Sequence, residues 1–188
     1  MSRSVVTFVM LAFLAVLLRT AWLGDDALIT LRTVLNVTHG YGLTFNIAER
    51  VQTFTHPLWL FLITGSYLVV GNVYYAAFAL AIVVSLAAFG LAFRRAATPN
   101  QAWLAAAILV GSTAFVDYAT SGLENPLSNL LLALFVGAGV RAAATDRPAL
   151  GWLWGLGSLL YLTRPDDVLI VAPALVGFTF AAGGRGDG

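Results

Sequence analysis

The chain has no cysteine and no lysine, only two histidines, and few charges of either sign: 10% of its 188 residues are charged. Without cysteine there is no disulfide, no thiolate nucleophile and no thiolate metal site. His39 and His56 are left as the classical ligands, so no metal or other cofactor is indicated. All ten basic residues are arginine, and nine acids leave a net charge of +1. No basic patch exists to neutralise the phosphates of a duplex, which excludes a nucleic-acid partner.

What fills the chain instead is apolar. Hydrophobic residues make up 60% of it and its mean hydropathy is +0.87, whereas soluble domains carry about 25% charged residues. This composition is that of an integral membrane protein. Arg3 and the apolar run from Val5 to Leu18 resemble a secretory signal, but hydrophobic sequence continues beyond it and no Ala-x-Ala site precedes Asp25. The run reads as an uncleaved first span.

Apolar stretches fall at about 5–23, 57–71, 73–93, 101–116, 126–140, 149–163 and 168–182. About 19 helical residues cross a roughly 30 Å hydrocarbon core, so several of these are short and length alone does not assign topology. Arginine placement does, because short cytoplasmic loops are enriched in basic residues. If the second stretch lies along the outer surface or re-enters it, Arg3, Arg94, Arg95, Arg141, Arg147 and Arg185 are cytoplasmic, and Arg32, Arg50 and Arg164 are outside. If it crosses, the bias reverses. The expected architecture is therefore an all-α polytopic transmembrane bundle of about six spans plus one juxtamembrane or re-entrant helix, with the N-terminus cytoplasmic. The same arrangement gathers Asp25, Asp26, Glu49, Asp117, Glu124, Asp166 and Asp167 on the outer face and leaves Asp146 and Asp187 inside.

Residues 24–56 form the one long polar segment. Asp25 or Asp26 is expected to cap a helix running to about Thr38, with Gly40 and Gly42 ending it. On that helix Asp25, Ile29, Arg32 and Asn36 share one stripe; Asp26, Thr30, Thr33 and Val37 share the next. A cap needs one aspartate, whereas a carboxylate beside another has a raised pKa suited to taking a proton from a hydroxyl. Capping and acid/base work both stay open for the pair. Arg32 fits a solvated position or a phosphate ligand equally, and His56, held before Pro57, fits an interfacial residue or a substrate contact. Glu124 in Ser121-Gly122-Leu123-Glu124-Asn125-Pro126 is explained by helix-start chemistry alone; Arg164-Pro165-Asp166-Asp167 mixes a helix start with an ion pair. Asn36-Val37-Thr38 matches a glycosylation sequon short enough to recur by chance.

Taken in order, Asp25 to Thr33, Gly40 to Asn46, Glu49-Arg50-Val51, Thr55 to Trp59, Tyr118 to Pro126 and Thr163-Arg164-Pro165 resemble the N-terminal membrane half of the GT-C type glycosyltransferase-like proteins. Within that class the likeness is to the ZomB flagellar motor control group and the related terminal arabinofuranosyltransferases. The resemblance implies a polyprenyl-phosphate-linked sugar donor bound from the outer leaflet of a bacterial plasma membrane, and a glycan acceptor. It places catalysis on Asp25 and Asp26. Glu124 and the nearby Asp117 line the same cavity in this reading, and Arg32, His56 and Arg164 hold the donor phosphate. Asp25 is the expected base, since its stripe carries Arg32.

Family members are several times longer. Residues 1–188 are accordingly expected to be a single N-terminal transmembrane domain, a fragment lacking C-terminal spans and a periplasmic domain. The expected reaction is inverting transfer at the outer face of the membrane. Its alternative is a non-enzymatic membrane protein assisting envelope or flagellar motor assembly on the same fold. A transporter fragment fits less well, because the acids cluster on one face and none lies at mid-membrane.

Overall fold

The computed structural model describes residues 2–49, 51–96, 98–144 and 150–183. Arg50, Asp146, Arg147, Arg185 and Asp187, counted above, lie outside the described residues. Among those described, all regular structure is helical: α1 (Arg3–Arg19), α2 (Asp25–Thr38), α3 (Pro57–Val70), α4 (Val73–Arg95), α5 (Pro99–Gly111), α6 (Thr113–Asp117), α7 (Asn125–Ala143), α8 (Leu150–Thr163) and α9 (Asp167–Gly183).

Several helices, α1, α4, α5 and α6, start where a side chain satisfies an otherwise orphaned N–H group. Asn72 accepts from the N–H groups of Tyr74 and Tyr75, and Thr98 with Gln101 forms a capping box ahead of α5. Pro57 and Pro126 occupy first turns, where a missing N–H costs nothing. Two expectations are corrected. The α2 cap is Gly24 and not an aspartate; both acids lie inside the first turn, where the helix dipole favours them, and Asp25 Oδ1 accepts from the Asp26 N–H at 3.1 Å. The single stretch 101–116 is two helices, because the Ser112 hydroxyl accepts from Phe115 N–H and starts a new one.

α4 and α7 are long and apolar enough to cross a membrane. Pro57–Val70, Leu150–Thr163 and Asp167–Ala182 are apolar but shorter. Among the described residues two helices therefore meet the length and composition of a span, where six spans were expected. A helix of 14 residues such as α3 or α8 reaches about 21 Å, and the chain interrupts its apolar stretches at Gly71-Asn72, Ser112 and Arg164-Pro165.

Two cores hold the helices together. Leu31 and Val34 of α2, Trp59, Leu60 and Ile63 of α3, and Leu153, Leu156 and Leu160 of α8 pack with the buried faces of α4 and α7. Phe13 of α1 stacks on Phe89 of α4 with ring centroids 4.2 Å apart, and Phe93 meets Trp103 of α5 edge-on. In lipid the contacts that associate helices are close packing and interhelical hydrogen bonds, so small residues at crossings matter. At Gly157 a Cβ would stand 2.9 Å from Leu175, which lets α8 and α9 approach closely.

Residues 118–124 are pinned from several sides. Ser85, midway along α4, donates to the Ala119 carbonyl at 3.0 Å, and Gly24 N–H donates to the Ser121 carbonyl at 2.9 Å. The indole of Trp59 donates to the Gly122 carbonyl at 2.9 Å, and that of Trp22 to the Asp117 carbonyl at 2.7 Å. A short polar loop thus sits against the start of α2 and the start of α3.

Candidate active site

The stripe Asp26, Thr30, Thr33 on α2 forms one side of the site. Thr33 donates to the Ile29 carbonyl one turn back, which leaves its oxygen to accept from Thr53 at 2.9 Å. Thr30 Oγ1 lies 2.8 Å from His56 Nε2. These two bonds fasten the returning chain, residues 53–56, along the helix.

Between them the loop turns back at Gly40 and Gly42, whose positive φ values of 82° and 88° suit glycine. Asn36 then donates to the carbonyls of Thr44 and Phe45 at 2.7 and 3.0 Å, so its amide is a structural tie and the sequon has a sufficient internal role. Phe45 is carried under the Arg32 guanidinium, 4.3 Å from its ring centre, and Asn46 accepts from Arg32 at 3.5 Å while donating to Glu49 at 3.1 Å.

The far wall comes from residues 118–125 and from Arg164. Glu124, at the start of α7, is buried; its Oε2 lies 3.4 Å from His56 Nδ1 and its Oε1 3.9 Å from the Arg164 guanidinium. Arg164 also donates to Asn125 at 3.3 Å and to Asp166 at 3.0 Å. Burial pushes the His56 imidazole below its ordinary value, outweighing the opposite pull of the Glu124 carboxylate. The hydrogen bond from Arg164 to Asp166 raises the guanidinium further, and Asp166 is held below the usual carboxylate range by its own backbone N–H and by Arg164.

Together these walls enclose an open cavity of about 1040 Å³. Of the residues singled out from sequence, Asp26, His56, Glu124 and Arg164 line it. Arg32 is not among the lining residues but touches two of them, Phe45 and Asn46. Asp25 and Asp117 are not among the lining residues: Asp25 turns its carboxylate to the Asp26 N–H, and Asp117 meets Trp22 through its backbone carbonyl. Sequence reasoning did not single out Thr30, Asn46, Glu49 and Tyr118, which also line the cavity. Thr30 carried a signal, lying four residues from Asp26 on the same stripe; Tyr118 carried none beyond its loop.

The chain is 34% identical over 179 residues to the terminal beta-(1→2)-arabinofuranosyltransferase of Mycobacterium tuberculosis, which covers 86% of this chain and 28% of that protein. It is likewise 34% identical over 123 residues to the enzyme of the same name from Corynebacterium glutamicum, covering 60% of this chain and 18% of the relative. The match thus spans 28% of the length of one curated relative and 18% of the other. They carry the arabinofuranosyltransferase half of the resemblance seen in the sequence, and not its flagellar half. No family profile matches the chain. No solved structure matches it either.

Proposed function

We propose that this chain carries the reaction site of a cell-envelope glycosyltransferase that moves a sugar, of the arabinofuranosyl kind, from a polyprenyl phosphate to a glycan hydroxyl at the outer face of the bacterial plasma membrane. The observation that supports this reading most is the shared cavity, in which Asp26, Glu124, His56 and Arg164 converge from separate segments of a chain 34% identical to two arabinofuranosyltransferases.

In this mechanism Asp26 takes the proton of the acceptor hydroxyl as its oxygen attacks the anomeric carbon from the face opposite the phosphate. The sugar–phosphate bond breaks with its electron pair going to the phosphate, and the anomeric configuration inverts. A phosphate is already a good leaving group, so no general acid is required on that side. Asp26 replaces Asp25 as the favoured base because it lines the cavity.

The three phosphate candidates separate on their partners. Arg164 is engaged by Glu124 and Asp166, and burial disfavours the charged form of His56. None of the ion pairs among the described residues involves Arg32, whose charge rests on the Phe45 ring. Arg32 is therefore assigned to the donor phosphate, where a planar guanidinium suits phosphate oxygens, and Arg164 to holding Glu124. Such electrostatic stabilisation contributes a few kcal/mol per donor in enzymes of many kinds, about 3 being common.

The topology that goes with this reading has six spans, α3 as a re-entrant or surface helix, and the N-terminus in the cytoplasm. The test is single-turnover transfer of a labelled arabinofuranosyl group from polyprenyl phosphate to an oligoarabinoside, using membranes that carry the protein. Transfer that survives unchanged in both Asp25→Asn and Asp26→Asn removes the enzymatic reading and favours the envelope-assembly one.

A further inference from the structure

Three side chains from three segments stand in line: Thr30 on α2, His56 at the start of α3, and Glu124 at the start of α7. The Thr30 hydroxyl is 2.8 Å from Nε2 of the imidazole, and Nδ1 is 3.4 Å from Glu124 Oε2. Thr30 is 1% exposed and His56 8%, so both are largely buried where they meet at the cavity wall.

A neutral imidazole carries one N–H and one lone pair, and the partner of each nitrogen decides which is which. A carboxylate facing Nδ1 requires the proton there, since two lone pairs would otherwise oppose one another. Nε2 is then an acceptor and needs a donor. Thr30 is suited to supply it: Thr33 and Thr38 on the same helix donate to backbone carbonyls one turn back, whereas the partner of the Thr30 hydroxyl among the described residues is His56. The resulting ring, protonated on Nδ1, is the minor neutral tautomer of a free histidine side chain.

We propose that Thr30 is a positioning residue: its hydroxyl locks His56 in the Nδ1–H tautomer, and His56 in turn holds Glu124 with Oε2 bound and Oε1 facing Arg164 and the cavity. The assignment rests on the reading of that cavity as the place where substrate binds. Glu124 then presents one oxygen in a fixed direction to an acceptor hydroxyl, in place of a freely rotating carboxylate. The other charged groups around the cavity are Asp26 on α2, Glu49 in the first loop and Arg164 beyond α8. A change at Thr30 leaves all of them in place.

The chain has two histidines, so a His39→Asn background leaves His56 as the one imidazole signal. Long-range proton–nitrogen NMR of the histidine-labelled chain in lipid nanodiscs reads which nitrogen is protonated. In the Thr30 background His56 is expected in the Nδ1–H form, and Glu124→Gln is expected to release it toward the Nε2–H form. Thr30→Val removes the donor that favours the neutral ring and should raise the pH at which His56 takes up its second proton by about half to one unit, the size of one net hydrogen bond; Thr30→Ser should restore it. An Nε2–H ring in the unaltered Thr30 site, or equal behaviour of the Val and Ser variants, overturns the proposal. These signals do not depend on sugar transfer. The expected tautomer in a protein that transfers no sugar sinks the transferase reading alone, and a wrong tautomer in an active protein sinks the relay alone.

Discussion

Gly122 and Ala27 lie so close that a Cβ on the glycine would come within 2.7 Å of the alanine Cβ and 2.6 Å of Leu23. The same glycine has φ of 83°, a region that L side chains rarely adopt. Its carbonyl receives the buried Trp59 indole, so one residue joins the loop before α7 to α2 and to α3. Gly122→Ala combines backbone strain of roughly 1 kcal/mol with an overpacking cost of about 1–3 kcal/mol. The expected outcome is a clearly lowered apparent melting temperature in detergent together with loss of transfer. An alanine variant that melts like the parent would show that the loop does not hold this conformation.

Trp59→Phe asks a smaller question. It keeps most of the aromatic bulk but leaves the Gly122 carbonyl without its indole donor in a fully buried place. A cost of about 1–3 kcal/mol is expected from the unsatisfied acceptor and lost volume, read as a lower melting temperature. Trp22→Phe, at an exposed position, should cost less.

Asp25→Asn and Asp26→Asn should part company in the transfer assay. Asp26 lines the cavity, and an amide cannot accept the acceptor's proton, so a loss of about a hundredfold or more in rate is expected with little change in stability. Asp25 serves the first turn of α2 through its own Oδ1 bond to the Asp26 N–H. Asparagine keeps an oxygen for that role, so its variant should transfer at near-parental rate. The reverse pattern would return the base to Asp25.

Much of this architecture was legible in the sequence because the signals were local. The helix start at Asn125-Pro126 and the helix end before Gly40 and Gly42 rest on chemistry that acts within one turn; the Asn72 cap and the Thr98–Gln101 box are equally local, but sequence reasoning did not single them out. The stripe from Asp26 to Thr33 was legible too, as helical spacing alone places it on one face. What was not legible is tertiary. Asp25 and Asp26 are equivalent as letters, and the loop through Phe45 and the one through Glu124 decide which of them meets the cavity. The ion pair of Arg164 with a following aspartate was open in the sequence, whereas Glu124 beside Arg164 and the phenyl ring under Arg32 are contacts between distant segments. The sequence also could not tell that Ser112 divides an apolar stretch, because a serine inside a run is as often tolerated as a cap.

His56 gives the stability of the protein a particular pH dependence. Its pKa is lower folded than unfolded, so between the folded value and the ordinary 6.5 the unfolded chain binds more protons, and stability rises with pH through that window. Falling pH from 6.5 downward should therefore lower the apparent melting temperature. Asp166 acts with a lower window: its depressed carboxyl contributes above the ordinary 3.8 and is lost as pH falls through its folded value. His56→Gln should flatten the melting profile just below pH 6.5, and Asp166→Asn should leave that part unchanged. Equal slopes in the parent and His56→Gln would mean that another group titrates there.

Topology is open to a direct test, because a chain without cysteine accepts single cysteines as clean reporters. The arginine bias puts the first loop outside and the link between α4 and α5 inside. Ala48 in that loop and Asn100 in the first turn of α5 are both exposed, so access to reagent is set by the membrane and not by burial. In intact cells an impermeant thiol reagent should label Ala48→Cys and Asp166→Cys, and should reach Asn100→Cys only after the membrane is opened. This pattern requires that α3 begin and end on the same side, since α4 must run from outside to inside with Arg94 and Arg95 at its end. A further cysteine at Asn72, between α3 and α4, then decides the matter. Labelling of Asn72→Cys from outside supports α3 as a surface or re-entrant helix, whereas protection there with labelling of Asn100→Cys would make α3 a crossing span and invert every later loop, moving Glu124 and Arg164 to the opposite side of the membrane from Asp26. Because those three residues line one cavity, that outcome is incompatible with the site described here.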